Sequence, residues 1–123
     1  MTEEKNYGMM TKALHSGWKC DPATGASGLP IYASSAFQFK NTDFAAGLFN
    51  LEEDGFIYSR LANPTVCAFE EGLNSLEGGV GCLATSSGQA AFTHLIAALC
   101  SSGDNLVVSR KVYGGTLTLL QNV

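Results

Sequence analysis

Ser87, Gly88 and Gln89 form a polar turn whose residue types suit the binding of an anion. Small apolar residues precede the turn at 79–84, and apolar residues at helical spacing follow it at 90–100, which predicts a strand, a tight turn and a helix. The first N–H groups of a helix lack intrahelical partners and lie at the positive end of its dipole. The turn could therefore hold a phosphate group, although a serine that merely caps a helix explains the same residues.

Tyr113 is a second candidate for ligand contact. It follows a short apolar run at 105–109, which predicts another strand. Ligands of open α/β proteins bind at the carboxyl edge of the sheet, so the tyrosine ring should lie near the polar turn and could cover a flat ligand. Packing of the ring within its own loop, before Gly114 and Gly115, is the alternative.

Tyr58 and Arg60 form the third group of candidates. The segment 56–60 is predicted to be extended, so two side chains one residue apart would point the same way. A hydroxyl and a bidentate cation suit a phosphate group. Arg60 could instead pair with a nearby carboxylate, Glu52 or Asp54.

The remaining composition narrows the class of ligand and partner. Neither GxxxxGK[ST] nor GxGxxG occurs, so the residues indicate a phosphorylated planar ligand rather than a nucleotide. The formal net charge is −4 and no basic run occurs, which argues against nucleic-acid binding. No apolar run is long enough to span a bilayer, and residues 1–10 do not resemble a signal peptide. The four cysteines show no CxxC spacing and both histidines are isolated, so we expect reduced thiols, a cytoplasmic protein and no metal site.

The elements around these residues predict an α/β fold. Asn63-Pro64-Thr65 begins a helix with an asparagine cap and a proline at its first position, and Gly78-Gly79 ends it. The strand, helix and strand that follow predict a βαβ unit with parallel strands. Residues 63–123 therefore predict the beginning of a larger α/β domain, since two strands alone are marginal in water.

Residues 1–62 do not have the pattern of a domain core. Short helices are predicted at 11–18 and from Phe44 to about Leu51, between irregular apolar stretches. Such a segment cannot bury itself. We expect an amino-terminal arm that lies on the rest of its own chain or on a partner subunit.

Six motifs in this order closely resemble the Cys/Met-metabolism family of pyridoxal-phosphate (PLP) enzymes, which has the aspartate aminotransferase-like architecture called fold type I. The motifs are Tyr58-Ser59-Arg60 with Asn63-Pro64-Thr65, Leu76-Glu77-Gly78-Gly79, Ser86-Ser87-Gly88-Gln89-Ala90-Ala91, Gly103-Asp104-Asn105 and Tyr113-Gly114-Gly115-Thr116. The resemblance extends from about residue 10 to the last residue. It implies that the chain is the arm and the first βαβ part of the PLP-binding large domain.

The resemblance also implies a role for each candidate residue. Gly88 and Gln89 would donate backbone N–H groups to the phosphate of PLP, with Ser87 in the same cradle. Tyr113 would stack on the pyridine ring and move protons at the substrate amine. The remaining pair, Tyr58 and Arg60, would reach the phosphate of the neighbouring subunit's cofactor, in a homotetramer whose subunits share active sites.

Within the family, the sequence is similar to the O-acetylhomoserine sulfhydrylase branch. Gln89 stands where cystathionine synthases and lyases usually have Met, and the segment 49–60 also resembles that branch. The implied reaction makes homocysteine from O-acetylhomoserine and sulfide by γ-replacement. The alternatives are cystathionine γ-synthase, cystathionine lyase or methionine γ-lyase, and, from another class, a non-catalytic phosphate-binding or assembly piece.

The resemblance places the Schiff-base lysine beyond residue 123, with the carboxylate that pairs with the pyridine nitrogen. Lys111 is near Tyr113 in sequence, but the family has no such lysine there, and we interpret it as a solvated surface residue. We therefore expect residues 1–123 alone to be inactive and the intact enzyme to be a γ-replacement transferase.

Overall fold

The computed structural model describes residues 7–122, which form two compact units that meet in sequence between Leu83 and Ala84. Within the described residues the helices are α1 (Met9–His15), α2 (Thr42–Phe49), α3 (Pro64–Glu77), α4 (Gly88–Leu99) and α5 (Gly114–Asn122). Among these helices, none has the length and apolar character needed to cross a membrane. The predicted division into an arm at 1–62 and a domain from residue 63 concerns the whole protein and stays a prediction.

Helix α3 begins and ends where its sequence predicts. Asn63 caps it, since its side-chain oxygen accepts a hydrogen bond from the Thr65 N–H at 2.9 Å, and Pro64 takes the first helical position. Gly78 ends the helix in the left-handed conformation, with φ of 68°. The predicted helix start and stop are both confirmed.

Thr65 and Asn63 also attach the segment before α2 to the start of α3. The Thr65 hydroxyl accepts a hydrogen bond from the Tyr32 N–H at 2.9 Å and donates one to the Pro30 carbonyl at 3.0 Å. The Asn63 side-chain amide donates to the Tyr32 carbonyl at 2.9 Å. This part of the predicted arm therefore lies on its own chain.

Helices α1 and α3 approach closely at two glycines. Gly17 has φ of 82°, and a Cβ atom there would lie 2.6 Å from the backbone nitrogen of Gly72 and closer still to the Ala68 carbonyl oxygen. The Ser16 and Ser75 hydroxyls are hydrogen-bonded at 3.0 Å beside this contact. The extended backbone of Ser16 and the left-handed Gly17 that follows it explain why α1 ends at His15 and does not continue to residue 18 as predicted.

Helix α2 is displaced toward the amino terminus from its predicted position. Its cap is Asn41, whose side-chain oxygen accepts a hydrogen bond from the Phe44 N–H at 2.7 Å, so the helix begins at Thr42 rather than at the predicted Phe44. The helix ends at Phe49 because the chain then turns, with Leu51 at φ of 60° and the Glu52 N–H bonded to the Gly47 carbonyl.

Neither of the strands predicted at 79–84 and 105–109 forms in the described part of the chain. Between residues 7 and 122, the one bridge of strand type is antiparallel and joins Ala36 to Tyr58. A strand forms only where a neighbour satisfies its backbone groups. Both segments expose their apolar side chains, and Val80 and Val107 are fully exposed. In a complete parallel sheet, neighbouring strands and covering helices bury side chains of this kind.

Candidate active site

Ser87 caps α4 and is itself held in place. Its side-chain oxygen accepts a hydrogen bond from the Ala90 N–H at 3.1 Å. Its carbonyl oxygen accepts from the Ala91 N–H at 3.0 Å and from the Thr85 hydroxyl at 2.9 Å. The capping role that we considered as an alternative is therefore real, and it occupies the serine hydroxyl as an acceptor.

The N–H groups of Gly88 and Gln89 remain available. They are the first two of α4, and neither donates to any acceptor within residues 7–122. Gly88 is exposed, and a Cβ atom there would meet nothing within 4 Å. Two adjacent free donors at the positive end of a twelve-residue helix are suited to a phosphate group. These residues therefore fit the phosphate of PLP.

Tyr113 is the residue immediately before α5, and its backbone carbonyl accepts the first hydrogen bonds of that helix. Its carbonyl oxygen accepts hydrogen bonds from the N–H groups of Thr116 at 2.9 Å and Leu117 at 3.1 Å. Its ring lies against Gly115, where a Cβ atom would be 2.7 Å from the ring carbon Cε1. The tyrosine is nevertheless 75 % exposed, so it both packs within its own loop and offers a ring surface to a flat ligand.

A hydrogen bond joins the beginnings of α4 and α5. The Gln89 side-chain nitrogen Nε2 donates to the Thr116 hydroxyl oxygen at 2.9 Å, and Thr116 is only 2 % exposed. Within this unit, four predicted site residues, namely Ser87, Gly88, Gln89 and Tyr113, are thus connected through Thr116. Sequence reasoning missed Thr116, because a contact between residues 89 and 116 has no periodic signal.

Tyr58 and Arg60 lie in the other unit, on a turn rather than on a fully extended segment. The chain turns after Tyr58, whose carbonyl accepts hydrogen bonds from the N–H groups of Leu61 at 2.9 Å and Ala62 at 3.1 Å. The guanidinium carbon of Arg60 is 5.2 Å from the centroid of the Tyr58 ring, within cation–π range. Both side chains are exposed.

The carboxylates that we considered as alternative partners do not pair with Arg60. In the described residues, Arg60 makes no ion pair with Glu52 or Asp54, and both acidic residues are exposed. Its charge is therefore available to a ligand. The roles of Tyr58 and Arg60 at a phosphate remain predictions.

A buried asparagine holds this turn. The Asn63 side-chain nitrogen donates to the Ser59 hydroxyl at 2.8 Å, and Ser59 lies between the two candidate residues. The Ser59 N–H donates to the Ser35 carbonyl at 2.9 Å, and the Ser59 hydroxyl donates to the Ser34 carbonyl. The backbone that carries Tyr58 and Arg60 is thus fixed on both sides.

Comparisons with known proteins give the family. The sequence pattern of the Cys/Met metabolism PLP-dependent enzymes matches residues 10–123. An O-acetyl-L-homoserine sulfhydrylase of Corynebacterium glutamicum is 50 % identical over 113 residues, which are 92 % of this chain and 26 % of that protein.

Two solved structures are similar in fold. One is of a Campylobacter jejuni protein assigned as an O-acetylhomoserine (thiol)-lyase, with N'-pyridoxyl-lysine-5'-monophosphate; it has a TM-score of 0.87 and 43 % identity over 95 % of this chain. The other is of a cystathionine gamma-lyase from Lactobacillus plantarum, with a TM-score of 0.79 and 34 % identity over 95 % of this chain. The chain spans 29 % and 28 % of these two structures. The predicted fold class is confirmed.

We expect Asn63→Ala to lower the free energy of unfolding by about 3 kcal/mol, because a helix cap contributes about 1 kcal/mol and each buried hydrogen bond about as much. Urea unfolding of the whole protein measures the change. Asn41→Ala is the matched control, since Asn41 is exposed and caps α2 with a single hydrogen bond; it should cost about 1 kcal/mol. Equal costs for the two variants would show that the additional hydrogen bonds of Asn63 do not stabilise the fold.

Proposed function

Because the chain belongs to the Cys/Met metabolism family of PLP-dependent enzymes, we propose that the whole protein is an O-acetylhomoserine sulfhydrylase that makes homocysteine from O-acetylhomoserine and sulfide. The observation that carries the proposal is the pair of free N–H groups of Gly88 and Gln89, in a chain that is 50 % identical to a protein of that name. The reaction is a γ-replacement, in which sulfide takes the place of acetate.

Gly88 and Gln89 would hold the phosphate of PLP through their backbone N–H groups, and Ser87 would keep the turn in shape. When bound, PLP supplies an electron-withdrawing ring that stabilises a carbanion next to the substrate amino group. Ser87 acts by position, since its hydroxyl oxygen already accepts the Ala90 N–H. The phosphate contacts give binding and orientation rather than chemistry.

Tyr113 would lie over the cofactor ring and exchange a proton with the substrate amine. Its exposed ring provides the stacking surface, and one edge of the ring lies against Gly115. A phenol hydroxyl can both donate and accept a hydrogen bond, which suits it to proton transfer at the substrate amine. Tyr113 is the one residue of this chain to which we assign a catalytic role.

Tyr58 and Arg60 would contact the cofactor phosphate of a neighbouring subunit, in a homotetramer with shared active sites. Two observations support this proposal: Arg60 makes no ion pair with any other described residue, and its guanidinium lies over the Tyr58 ring. The Schiff-base lysine would lie outside residues 1–123, so that these residues alone are inactive; Lys111 is exposed, as a solvated lysine would be. We also propose a cytoplasmic enzyme, because the four cysteines are free.

A lyase or synthase of the same family is the alternative function. The similarity to a cystathionine gamma-lyase structure, at a TM-score of 0.79, supports a site that is shared by sister enzymes. The cofactor residues would then be the same, and only the substrate and the fate of the carbanion would differ.

We expect the whole protein to form homocysteine when it is given O-acetylhomoserine, sulfide and PLP. Product analysis by mass spectrometry measures the reaction. Cystathionine and methionine serve as competing substrates, offered separately to the same preparation. Formation of an α-keto acid from either of them, without homocysteine from O-acetylhomoserine, would favour the lyase alternative.

We expect Arg60→Ala to weaken PLP affinity by about 10-fold or more, since a hydrogen bond to a charged group contributes about 1.5–3 kcal/mol. Absorbance titration of the apoenzyme with PLP measures the dissociation constant. Lys40→Ala is the control. The Lys40 Nζ atom lies 4.7 Å from the centroid of the Phe44 ring, so this substitution removes another ring-stacked cation of the same unit. An unchanged PLP affinity in Arg60→Ala would exclude the phosphate role.

We expect Tyr113→Phe to retain PLP binding, because the aromatic ring remains, and to lower kcat by about 100-fold, which is typical of a lost proton donor or acceptor. Steady-state kinetics over a range of pH measure the effect. Tyr113→Ala should in addition weaken PLP binding. A phenylalanine variant with the normal kcat and pH profile would rule out proton transfer by Tyr113.

A further inference from the structure

The Gln89 side chain has a partner that the phosphate contact does not require. Only the backbone N–H of Gln89 belongs to the proposed cradle, yet its carboxamide donates to the buried Thr116 hydroxyl at 2.9 Å. A hydrogen bond to a nearly inaccessible acceptor is protected from water, and its loss leaves the acceptor unsatisfied. The contact therefore fixes the first turn of α4 against the first turn of α5.

Thr116 in turn contacts Tyr113 through the backbone. The Thr116 N–H donates to the Tyr113 carbonyl at 2.9 Å, and the next residue, Leu117, donates to the same oxygen at 3.1 Å. The Tyr113 ring lies against Gly115, whose missing side chain leaves the space that the ring occupies. The position of Tyr113 thus follows the position of Thr116.

We propose that Gln89 and Thr116 are positioning residues that set the distance between the phosphate cradle at Gly88 and Gln89 and the ring of Tyr113. This proposal rests on the proposed PLP site. One ligand must reach the free N–H groups with its phosphate and the Tyr113 ring with its plane. The hydrogen bond between Gln89 and Thr116 holds these two contact points in register.

A methionine in place of Gln89 keeps the length of the side chain but cannot donate the hydrogen bond. Gln89→Met leaves the backbone N–H groups of the cradle unchanged, so it separates the positioning effect from the phosphate contact. Thr116→Val removes the acceptor with nearly the same volume, and Thr116→Ser retains a hydroxyl. Thr118→Val is the matched control, since Thr118 lies on the same helix, is exposed, and its hydroxyl donates to the carbonyl of Gly114 in its own helix.

Two measurements on the whole protein test the proposal. The first is hydrogen exchange of the Thr116 and Leu117 amides without PLP. We expect this exchange to be about five-fold faster in Gln89→Met and in Thr116→Val, because each variant loses one ordinary hydrogen bond. The second is PLP titration with visible circular dichroism of the bound cofactor, and we expect about five-fold weaker binding and an altered cofactor signal in the same variants. The double variant should be no worse than either single variant, because both remove one interaction.

The outcomes separate this proposal from the proposed function. Recovery of both measurements in Thr116→Ser and normal behaviour in Thr118→Val support the positioning role. Unchanged exchange in both single variants, or additive effects in the double variant, overturns it. If the wild-type protein fails to bind PLP, the proposed function fails, and the exchange measurement still decides whether Gln89 and Thr116 hold Tyr113 in place.

Discussion

The buried side chain of Asn63 is the interaction on which the first unit depends. An amide group that is withdrawn from water costs free energy unless its oxygen and nitrogen find partners. In this chain the oxygen caps α3, and the nitrogen reaches both the Tyr32 carbonyl and the Ser59 hydroxyl. One residue therefore determines where a helix begins, where an earlier segment lies and how the Tyr58–Arg60 turn is presented.

The local parts of this arrangement could be predicted from the sequence. Asn63 with Pro64, Ser87 before Gly88, and Gly78 are signals whose physical cause lies within a few residues, since a cap satisfies the N–H groups of its own helix and a left-handed glycine ends it. The predicted bounds of α1 and α2 agree less well with the observed ones. Gly17 and Asn41 decide them, and several other residues nearby could have served as ends or caps.

The non-local parts could not be predicted in this way. A strand depends on its neighbour, and the segments at 79–84 and 105–109 have the composition of strands without a partner in the described residues. The alternation rule likewise failed for Tyr58 and Arg60, because a turn rather than an extended segment brings the guanidinium over the ring. The contact between Gln89 and Thr116 depends on how two helices meet, which neither helix encodes alone.

The free N–H groups at the start of α4 have a consequence for the handling of the protein. Two unsatisfied donors at a helix terminus favour any small oxyanion, because the hydrogen bonds and the helix dipole do not distinguish one phosphate from another. Inorganic phosphate or sulfate in a buffer would therefore stabilise the apoprotein by binding its folded state, and would compete with the cofactor for the same donors. The rate and extent of cofactor loading would then depend on the anion of the buffer as well as on the affinity for the cofactor.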